Sequence, residues 1–210
     1  MNGALRVDSI SQLHHDSVLI TDCSVKWNKK VELVYTTINE LKKSWAGDFA
    51  KTYTDAVDEV QPDLVDFANC LNKLSTTLTN VSNMYKALEE QGDVSVAEKA
   101  EVTEFNLTEL LKNDQSGGVT FNSSECKEKA STMNEAATVI EQIIDEVDRN
   151  IESINRNYES DSGTELIGKV KKMKEAAPEY IKVIKDCANC LINVVAPQYE
   201  AIEKYAATGE

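Results

Sequence analysis

Apolar side chains recur at steps of three and four residues through most of this 210-residue sequence, and this heptad spacing restricts its possible folds. In the first half the spaced positions are Ile20, Ser24, Trp27, Val31, Val34, Ile38, Leu41 and Trp45, and then Phe49, Tyr53, Ala56, Val60, Leu64, Phe67, Leu71, Leu74, Leu78, Val81, Tyr85 and Leu88. About forty residues in one helical register would extend for about 60 Å. No compact globular core requires such a length, so the pattern predicts a long antiparallel helical hairpin.

The second half of the sequence repeats this pattern. Its spaced positions are Met133, Ala137, Ile140, Ile144, Val147, Ile151, Ile154 and Tyr158, and then Leu166, Val170, Met173, Ala177, Tyr180, Ile184, Cys187, Leu191, Val194, Ile202 and Tyr205. An offset of 113 places Trp45 on Tyr158, and residues 186–191 repeat residues 66–71 at five of six positions. We therefore predict an internal duplication.

Two duplicated hairpins can bury their apolar stripes against each other within one chain. The fold class predicted is all-α, with two helix-turn-helix hairpins packed as an antiparallel four-helix bundle, an intramolecular pseudo-dimer. Since the chain already contains its own partner hairpin, we expect it to be a monomer. Prolines 62 and 178 lie within the helical pattern and predict a bend near each.

The pattern divides the chain into four regions. Residues 1–21 form an N-terminal leader, in which Ser9-x-x-Gln12 caps a short helix or the segment frays. Residues 22–91 are the first hairpin, residues 92–122 are a connector, and residues 123–210 are the second hairpin. A capping box at residues 95–98 predicts a short helix that extends to about residue 112, and a second one at residues 162–165 predicts the start of the fourth long helix. Residues 113–118 have the composition of a flexible loop.

Composition excludes several classes of function. The formal net charge of −14 disfavours binding to nucleic acid or to an anionic membrane. No apolar run approaches the roughly 18 residues of a transmembrane helix, and no secretory signal peptide is visible. We therefore expect synthesis in the cytoplasm without a cleaved leader. The only histidines, His14 and His15, make a His-based metal cage or catalytic triad improbable, and phosphate-loop and nucleophile-elbow motifs are missing. No enzymatic activity and no cofactor are expected.

The five cysteines are an odd number, which argues against a complete disulfide framework. Cys187 and Cys190 have the Cys-x-x-Cys spacing of redox sites, but they lie in a long helical pattern without a βαβ unit around them. One such pair supplies two of the four ligands of a zinc site. Buried core thiols are therefore the favoured interpretation.

The turn between the first two helices reads Ser44-Trp45-Ala46-Gly47-Asp48-Phe49. A Trp-X-Gly turn between long amphipathic helices resembles the WXG (ESAT-like) family of helical-hairpin proteins, which type VII secretion systems export. Residues 22–91 follow this layout well. Residues 126–206 follow it with a changed turn, in which Tyr158 replaces the tryptophan and Gly163 is displaced, so the second hairpin resembles a degenerate copy.

The family also carries an export signal, Tyr-x-x-x-Asp/Glu, after the hairpin. Here the pattern occurs at Tyr85/Glu89 and at Tyr199/Glu203. Residues four apart share one helix face, so each pair presents an aromatic ring beside a carboxylate. Tyr85 lies on the apolar stripe, whereas Tyr199 lies off it just after Pro197, which makes the second pair the stronger signal.

The resemblance implies a non-enzymatic helical protein that is exported by, or co-secreted through, a type VII system and recognised by its membrane ATPase. In dimers of the family, the turn of one subunit and the tail of its partner act together, and a tandem chain would supply both. Partners would include a secreted effector or another WXG-type protein. The protein would be secreted or reach the cell surface.

Other interpretations stay open from the sequence. The chain could be a cytosolic helical adaptor or chaperone for a larger secreted toxin, with the tyrosines serving only in packing. Trp45 could be a core aromatic that closes a hairpin, and Gly47 could be only a helix C-cap. A spectrin-like structural protein would require helices that continue end to end, whereas the loop at residues 113–118 predicts a fold-back.

Overall fold

A computed structural model describes residues 5–107, 109–111 and 122–209. Its α-helices are α1 (Ile10–Ser44), α2 (Asp48–Glu59), α3 (Gln61–Gln91), α4 (Ser123–Asn157), α5 (Asp161–Cys190) and α6 (Ala196–Thr208). A 3-10 helix spans Val94–Val96, and a π-helix spans Leu191–Val195. Two short strands, β1 (Arg6–Val7) and β2 (Tyr158–Glu159), pair antiparallel with Val7 opposite Tyr158.

The long helices pack as an all-α four-helix bundle, with α1 against α3 and α4 against α5, which confirms the predicted fold class. Every spaced position predicted on α1 from Ile20 onwards is buried, including Ser24, and so is every one from Met133 to Tyr158. Heptad spacing keeps one stripe of each helix facing its neighbours, and this stripe forms the core.

The chain separates into two compact units, each drawn from three stretches of sequence. Unit 1 comprises Met1–Asn28, Val65–Asn106 and Gln142–Ala177. Unit 2 comprises Lys29–Leu64, Leu107–Glu141 and Pro178–Glu210. Each unit therefore takes residues from both predicted hairpins, and the division into hairpin domains stays a prediction.

The predicted stripe on α2 is wrong by one residue. Phe49 is exposed and Tyr53 is half-buried, whereas the buried positions are Ala50, Thr54 and Val57. The predicted helix is interrupted at Val60, just before Pro62, so α2 is free to rotate relative to the register of α3. Near this interruption, Tyr35 Oη on α1 donates to the Val57 carbonyl at 2.7 Å.

A second correction concerns the C-terminal helix. Val194, Ile202 and Tyr205 were predicted on the buried stripe, but all three are exposed, while Val195 and Ala196 are buried. The π-helix Leu191–Val195 has wider turns than an α-helix, so residues after it are rotated relative to the earlier stripe. By contrast, α5 continues through Pro178.

The leader and the connector also differ in part from expectation. Ser9 Oγ accepts from the Gln12 N–H at 3.2 Å, and the helix it caps continues as α1. The predicted helix of the connector is not formed, since residues 97–107 and 109–111 are neither helix nor strand. Instead, the backbone N–H groups of Ala100 and Phe105, which a helix would bond internally, donate to the side chains of Asn80 and Asn69 on α3. The end of that predicted helix and the predicted loop at residues 113–118 lie outside the described residues.

Candidate functional site

The first turn carries the Trp-X-Gly motif and buries its aromatic residue. Trp45 directly follows α1 and is 2% exposed. Gly47 precedes α2 with φ +114° and ψ 170°, a backbone conformation that is almost restricted to glycine. The tryptophan therefore fixes the turn from inside, and the glycine gives the backbone its change of direction.

The accessible aromatic surface at this turn is Phe49. Its side chain is 50% exposed, and its ring lies 6.3 Å from that of Trp45 and 5.2 Å from that of Tyr53. Sequence reasoning assigned Phe49 to the core and missed this surface. Hydrophobicity alone gave no signal for it, because Phe49 and Ala50 are both apolar and only the rotation of α2 distinguishes them.

A buried ion pair joins the helices that flank the first turn. Lys42 Nζ on α1 pairs with Asp58 Oδ2 on α2, and the lysine side chain is only 1% exposed. Burial raises the pKa of Asp58, and the neighbouring Lys42 ammonium acts in the opposite direction. The ion pair therefore holds the ends of α1 and α2 together, and the Asp58 carboxylate relies on the Lys42 ammonium to offset the cost of its burial.

The second turn brings together the two residues predicted there, although they are five positions apart. Tyr158 is 3% exposed, and a Cβ atom on Gly163 would lie 2.3 Å from its Cε1 atom. Ser160, rather than the predicted Ser162, caps α5, because its Oγ accepts from the Gly163 N–H at 3.0 Å. The Ser160 hydroxyl also shares a hydrogen bond of 2.7 Å with Tyr158 Oη.

N-terminal residues form hydrogen bonds with this second turn. Beside the pairing of β1 with β2, the Asp8 N–H donates to the Asn157 carbonyl at 3.0 Å. Asn157 Nδ2 in turn donates to the Ser9 carbonyl at 2.9 Å. The leader is thus part of the structure of unit 1.

The two Tyr-x-x-x-Glu pairs have the same burial but belong to different units. Tyr85 and Tyr199 are both half-buried, and Glu89 and Glu203 are both exposed. Tyr199, predicted to lie off the buried stripe, is half-buried. Exposed apolar side chains flank both pairs, but those beside the second pair are more exposed: Met84 is 38% and Leu88 is 48% exposed on α3, whereas Ile202 is 63% and Tyr205 is 66% exposed on α6.

Each unit contains the turn of one hairpin and the tail of the other. Unit 1 holds the Tyr158–Gly163 turn and the Tyr85/Glu89 pair, and unit 2 holds the Trp45–Gly47 turn and the Tyr199/Glu203 pair. In unit 2 the start of α4 contacts both parts. Lys129 Nζ lies 2.6 Å from Glu40 Oε2, one turn before Trp45, and Lys127 Nζ lies 2.5 Å from Glu200 Oε1, beside Tyr199. The Lys127 ammonium holds the pKa of Glu200 below its usual value.

The cysteines are free thiols, and both Cys187 and Cys190 are buried. Burial raises the pKa of Cys187 to about 12, as it does for Cys126. Thiols with such values are weak nucleophiles at neutral pH. Across residues 5–107, 109–111 and 122–209, no group of three or more His, Cys, Asp or Glu side chains is arranged to hold a metal ion.

Residues 12–90 match the model of the WXG100 family, described as proteins of 100 residues with WXG. This first hairpin is of the WXG, ESAT-like type. The matched range begins within α1 and ends with α3, so it includes the Trp45–Gly47 turn and the Tyr85/Glu89 pair. The chain matches no curated protein and no solved structure.

WXG-type proteins are helical proteins of type VII secretion, and the matching family is not a catalytic one. The hairpin geometry agrees with this family in its long helices and its Trp-X-Gly turn. Among the described residues, no helix has the length and hydropathy needed to cross a membrane.

Proposed function

We propose that this protein is a non-enzymatic substrate or co-secreted partner of a type VII secretion system. Its recognised surface would combine the first turn with the C-terminal tail, and the system's membrane ATPase would read it. The observation that carries the proposal is the presence of the Trp45–Gly47 turn and the Tyr199/Glu203 pair in one compact unit. In dimers of the family these two parts come from different subunits.

The tail offers chemistry suited to recognition by another protein. Its exposed Ile202 and Tyr205 lie on the same helix as the Glu203 carboxylate. Large exposed apolar side chains beside a charge are typical of protein-binding surfaces. At the turn, exposed Phe49 would add an aromatic contact, while buried Trp45 would act by holding the turn in shape.

The second hairpin would then be a duplicated copy of the first. The equal lengths of α1 and α4, 35 residues each, support this interpretation. So does the occurrence of a buried aromatic residue and a required glycine at both turns. On this proposal the chain is a monomer that carries its own partner hairpin.

An export assay in the source bacterium tests the proposal. Culture supernatants of the wild type and of a strain lacking the type VII ATPase are compared by immunoblotting, with a cytosolic protein as the lysis control. We expect the protein outside the cell only when the ATPase is present. Export that is independent of the ATPase would contradict the proposal.

A matched pair of variants locates the signal. Glu203→Gln removes the exposed carboxylate of the tail in unit 2, and Glu89→Gln removes the equivalent carboxylate in unit 1. We expect Glu203→Gln to reduce export at least tenfold and Glu89→Gln to leave it unchanged. Equal effects of the two variants would contradict the assignment of the signal to the C-terminal tail.

The exposed apolar tail would also suit an adaptor or chaperone for a larger secreted toxin. In that case the protein would be retained in the cytosol, and a pull-down would recover a toxin bound to it. The Ile202→Ser/Tyr205→Ser variant would then lose the toxin. This result would favour the adaptor hypothesis over the secreted-substrate hypothesis.

A further inference from the structure

An open pocket of unit 1, here called the lysine pocket, is lined by three lysines of α3 and α5. They are Lys73 on α3 and Lys169 and Lys172 on α5, and the lining includes one carboxylate, that of Asp66. Its volume of about 390 Å³ lies within the range of small-molecule sites in proteins. All of its lining residues belong to unit 1. Positive charge is therefore concentrated here in a chain whose formal net charge is −14.

Two of the three ammonium groups are not engaged by a carboxylate. Among the described residues, none lies within 4.0 Å of Lys73 Nζ or Lys172 Nζ. Lys169 Nζ lies 2.7 Å from Glu165 Oε1, one helical turn away, and the two side chains are 55% and 68% exposed. An exposed pair of this kind contributes little to stability. An anion could therefore bind Lys169 in place of Glu165 at small cost.

The pocket also contains weakly polar side chains beside its lysines. Met173 on α5 and Cys70 on α3 line it, and both are half-buried. Burial raises the pKa of the Cys70 thiol, and the nearby Lys169 and Lys73 ammonium groups lower it. The thiol thus lies in the field of these lysines, which makes it a reporter of the charge in the pocket.

The stretch of α3 that lines the pocket recurs in unit 2. Residues 66–71 and 186–191 are identical at five of six positions, so Cys190 is the counterpart of Cys70. Whereas Cys70 is half-buried, Cys190 is 7% exposed. A hydrogen bond with Cys190 raises the pKa of Tyr53, so the tyrosine side chain lies against that thiol. The equivalent position in unit 2 is therefore closed.

On the duplication proposed above, each lysine of the pocket has an uncharged counterpart in unit 2. The counterparts follow from the offset of 116 between Gly47 and Gly163 and from the offset of 120 between the two repeated stretches. The three pairs are Lys169 with Tyr53, Lys172 with Ala56, and Lys73 with Asn193. The helix packing that the two hairpins share does not require these lysines, and they occur where the pocket is open.

The charges of the lining indicate the chemistry of a ligand. Three ammonium groups and the Asp66 carboxylate leave an excess of two positive charges, which a dianion would neutralise. Lysine binds phosphate as a point charge, and a phosphate monoester carries between about −1.5 and −2 charges at pH 7. Met173 and Cys70 offer a surface for the organic part of such an ester.

We propose that the lysine pocket binds a small phosphate monoester with an apolar organic part. Lys73, Lys169 and Lys172 bind the phosphate oxygens, and Met173 contacts the organic part. The site lies in unit 1, whereas the turn and tail proposed for export lie in unit 2, so either proposal can fail without the other.

The first test measures binding to the full chain by NMR titration of the ¹⁵N-labelled protein. The probe is phenyl phosphate, and the comparison compounds are benzoate, which has the ring with a single charge, and inorganic phosphate, which lacks the ring. We expect phenyl phosphate to bind at least tenfold more tightly than either. Equal binding of benzoate or of inorganic phosphate, or no binding of phenyl phosphate, would overturn the proposal.

A matched pair of double variants tests whether the pocket lysines are responsible. Lys73→Gln/Lys172→Gln removes the two unengaged ammonium groups, and we expect it to weaken phenyl phosphate binding at least tenfold. Lys99→Gln/Lys171→Gln removes the same charge from exposed positions of unit 1 outside the lining, and it should leave binding within twofold of the wild type. Equal losses would reveal a general effect of net charge and overturn the proposal.

The Glu165→Gln variant tests the role of the third lysine. It frees the Lys169 ammonium from its partner on α5, so phenyl phosphate should bind more tightly than to the wild type. Unchanged or weaker binding would overturn the assignment of Lys169 to the phosphate.

The Cys70 thiol locates the ligand independently, because the other four cysteines are buried. Its reaction rates with an anionic and a cationic methanethiosulfonate are compared with those of free mercaptoethanol, and Cys70→Ser is the blank. We expect the anionic reagent to be favoured at least fivefold at Cys70 and the preference to disappear in Lys73→Gln/Lys172→Gln. Phenyl phosphate should slow the reaction with neutral methyl methanethiosulfonate. No preference for the anionic reagent, or binding without protection of Cys70, would overturn the proposal.

Discussion

The two hairpin turns each bury an aromatic ring, but the glycine that accompanies the ring has a different role at each. Gly47 has φ +114°, and no atom lies within 4 Å of the place where its Cβ would be. Gly163 lies inside α5 without a positive φ, and its Cβ would overlap the ring of Tyr158. The first turn therefore needs glycine for backbone freedom, and the second needs it for space.

This difference explains how the motif can diverge in the second hairpin. A backbone requirement fixes the position of the glycine relative to the turn, as in Trp45-Ala46-Gly47. A requirement for space can be met from any position that faces the ring, and Gly163 meets it from the first turn of α5. The contacts that support the two turns differ as well: the first turn is held by the buried ion pair of Lys42 with Asp58, and the second by the pairing of β1 with β2.

The largest expected effect is the loss of the buried aromatic ring at the first turn. Trp45→Ala should lower the free energy of unfolding by about 4 kcal/mol, because it removes a large, fully packed side chain. Phe49→Ala is the control at the same turn, and its half-exposed ring should contribute about 1 kcal/mol. Urea unfolding followed by circular dichroism measures both. Equal costs would mean that Trp45 does not hold the turn.

The next effect concerns the ion pair of the first turn. Lys42→Met should cost about 3 kcal/mol at pH 7, because it leaves the carboxylate of Asp58 partly buried without its partner. Lys51→Met, which removes the exposed pair with Asp55, should have a negligible effect.

The pH dependence of the Lys42→Met variant has a defined sign. Burial raises the pKa of Asp58 in the folded state, and loss of Lys42 removes an influence that lowers it. Protonation of Asp58 therefore favours the folded variant, which should regain stability as the pH falls through that raised pKa, with the full gain reached below the ordinary pKa of an unfolded aspartate. Unfolding at a series of pH values measures this, and a monotonic loss of stability on acidification would contradict it.

The sequence predicted the buried stripes of α1 and α4, but it was wrong at the end of α3, where Leu88 is 48% exposed and Ala87 is buried instead. The stripes of α1 and α4 are buried at every predicted position from Ile20 to Trp45 and from Met133 to Tyr158. The stripes of α2 and α6 were wrong because a break at Val60 and the π-helix rotate the residues beyond them. Such backbone changes do not alter the spacing of apolar residues in the sequence, so the spacing cannot predict them.

The candidate site was predictable to a similar extent. The Trp45–Gly47 turn follows from sequence, since both residues belong to one short motif. The contact of Gly163 with Tyr158 does not, because it depends on where α5 begins. The contacts of the N-terminal residues with the second turn depend on main-chain pairing between distant segments. The α3 asparagines that bind residues 98–105 look like an ordinary polar face in the sequence, because their partners are known only from the structure.

The two glycines can be distinguished by testing each in two backgrounds. Gly47→Ala should cost about 2 kcal/mol from backbone strain. Gly163→Ala should cost about 1–2 kcal/mol, because overpacking against the ring outweighs the gain in helix propensity. Gly168→Ala is the control on α5, where a Cβ meets nothing within 4 Å, and it should stabilise the protein by about 0.5–1 kcal/mol.

The second background replaces each ring by leucine. In Tyr158→Leu the cost of Gly163→Ala should fall, since the ring carbons at 2.3 Å and 3.0 Å are gone and only Ser160 Oγ, at 2.8 Å, remains close to the added Cβ. In Trp45→Leu the cost of Gly47→Ala should persist, since strain at φ +114° does not depend on the ring. Thermal unfolding of the two double-mutant cycles measures the coupling. A coupling of similar size at both turns would refute the distinction between them.

The smallest expected effect separates the caps of the two turns. Ser160 Oγ accepts from the Gly163 N–H and shares a hydrogen bond with Tyr158 Oη, whereas α2 has no side-chain cap at Gly47. Ser160→Ala should therefore cost about 1 kcal/mol. Tyr158→Phe, which keeps the ring and removes the hydroxyl, should cost about 0.5 kcal/mol.

Both variants break the same hydrogen bond, so their effects on the melting temperature should be less than additive in the double variant. The ring itself stays buried in Tyr158→Phe, and Gly163→Ala should remain as costly in that background as in the wild type. If Tyr158→Phe instead relieved the cost of Gly163→Ala, the second turn would depend on the hydroxyl and its cap. The nearest atom to a Cβ on Gly163 is the ring carbon Cε1 at 2.3 Å, closer than Ser160 Oγ at 2.8 Å, so we expect most of the cost of Gly163→Ala to persist when only the hydroxyl is removed.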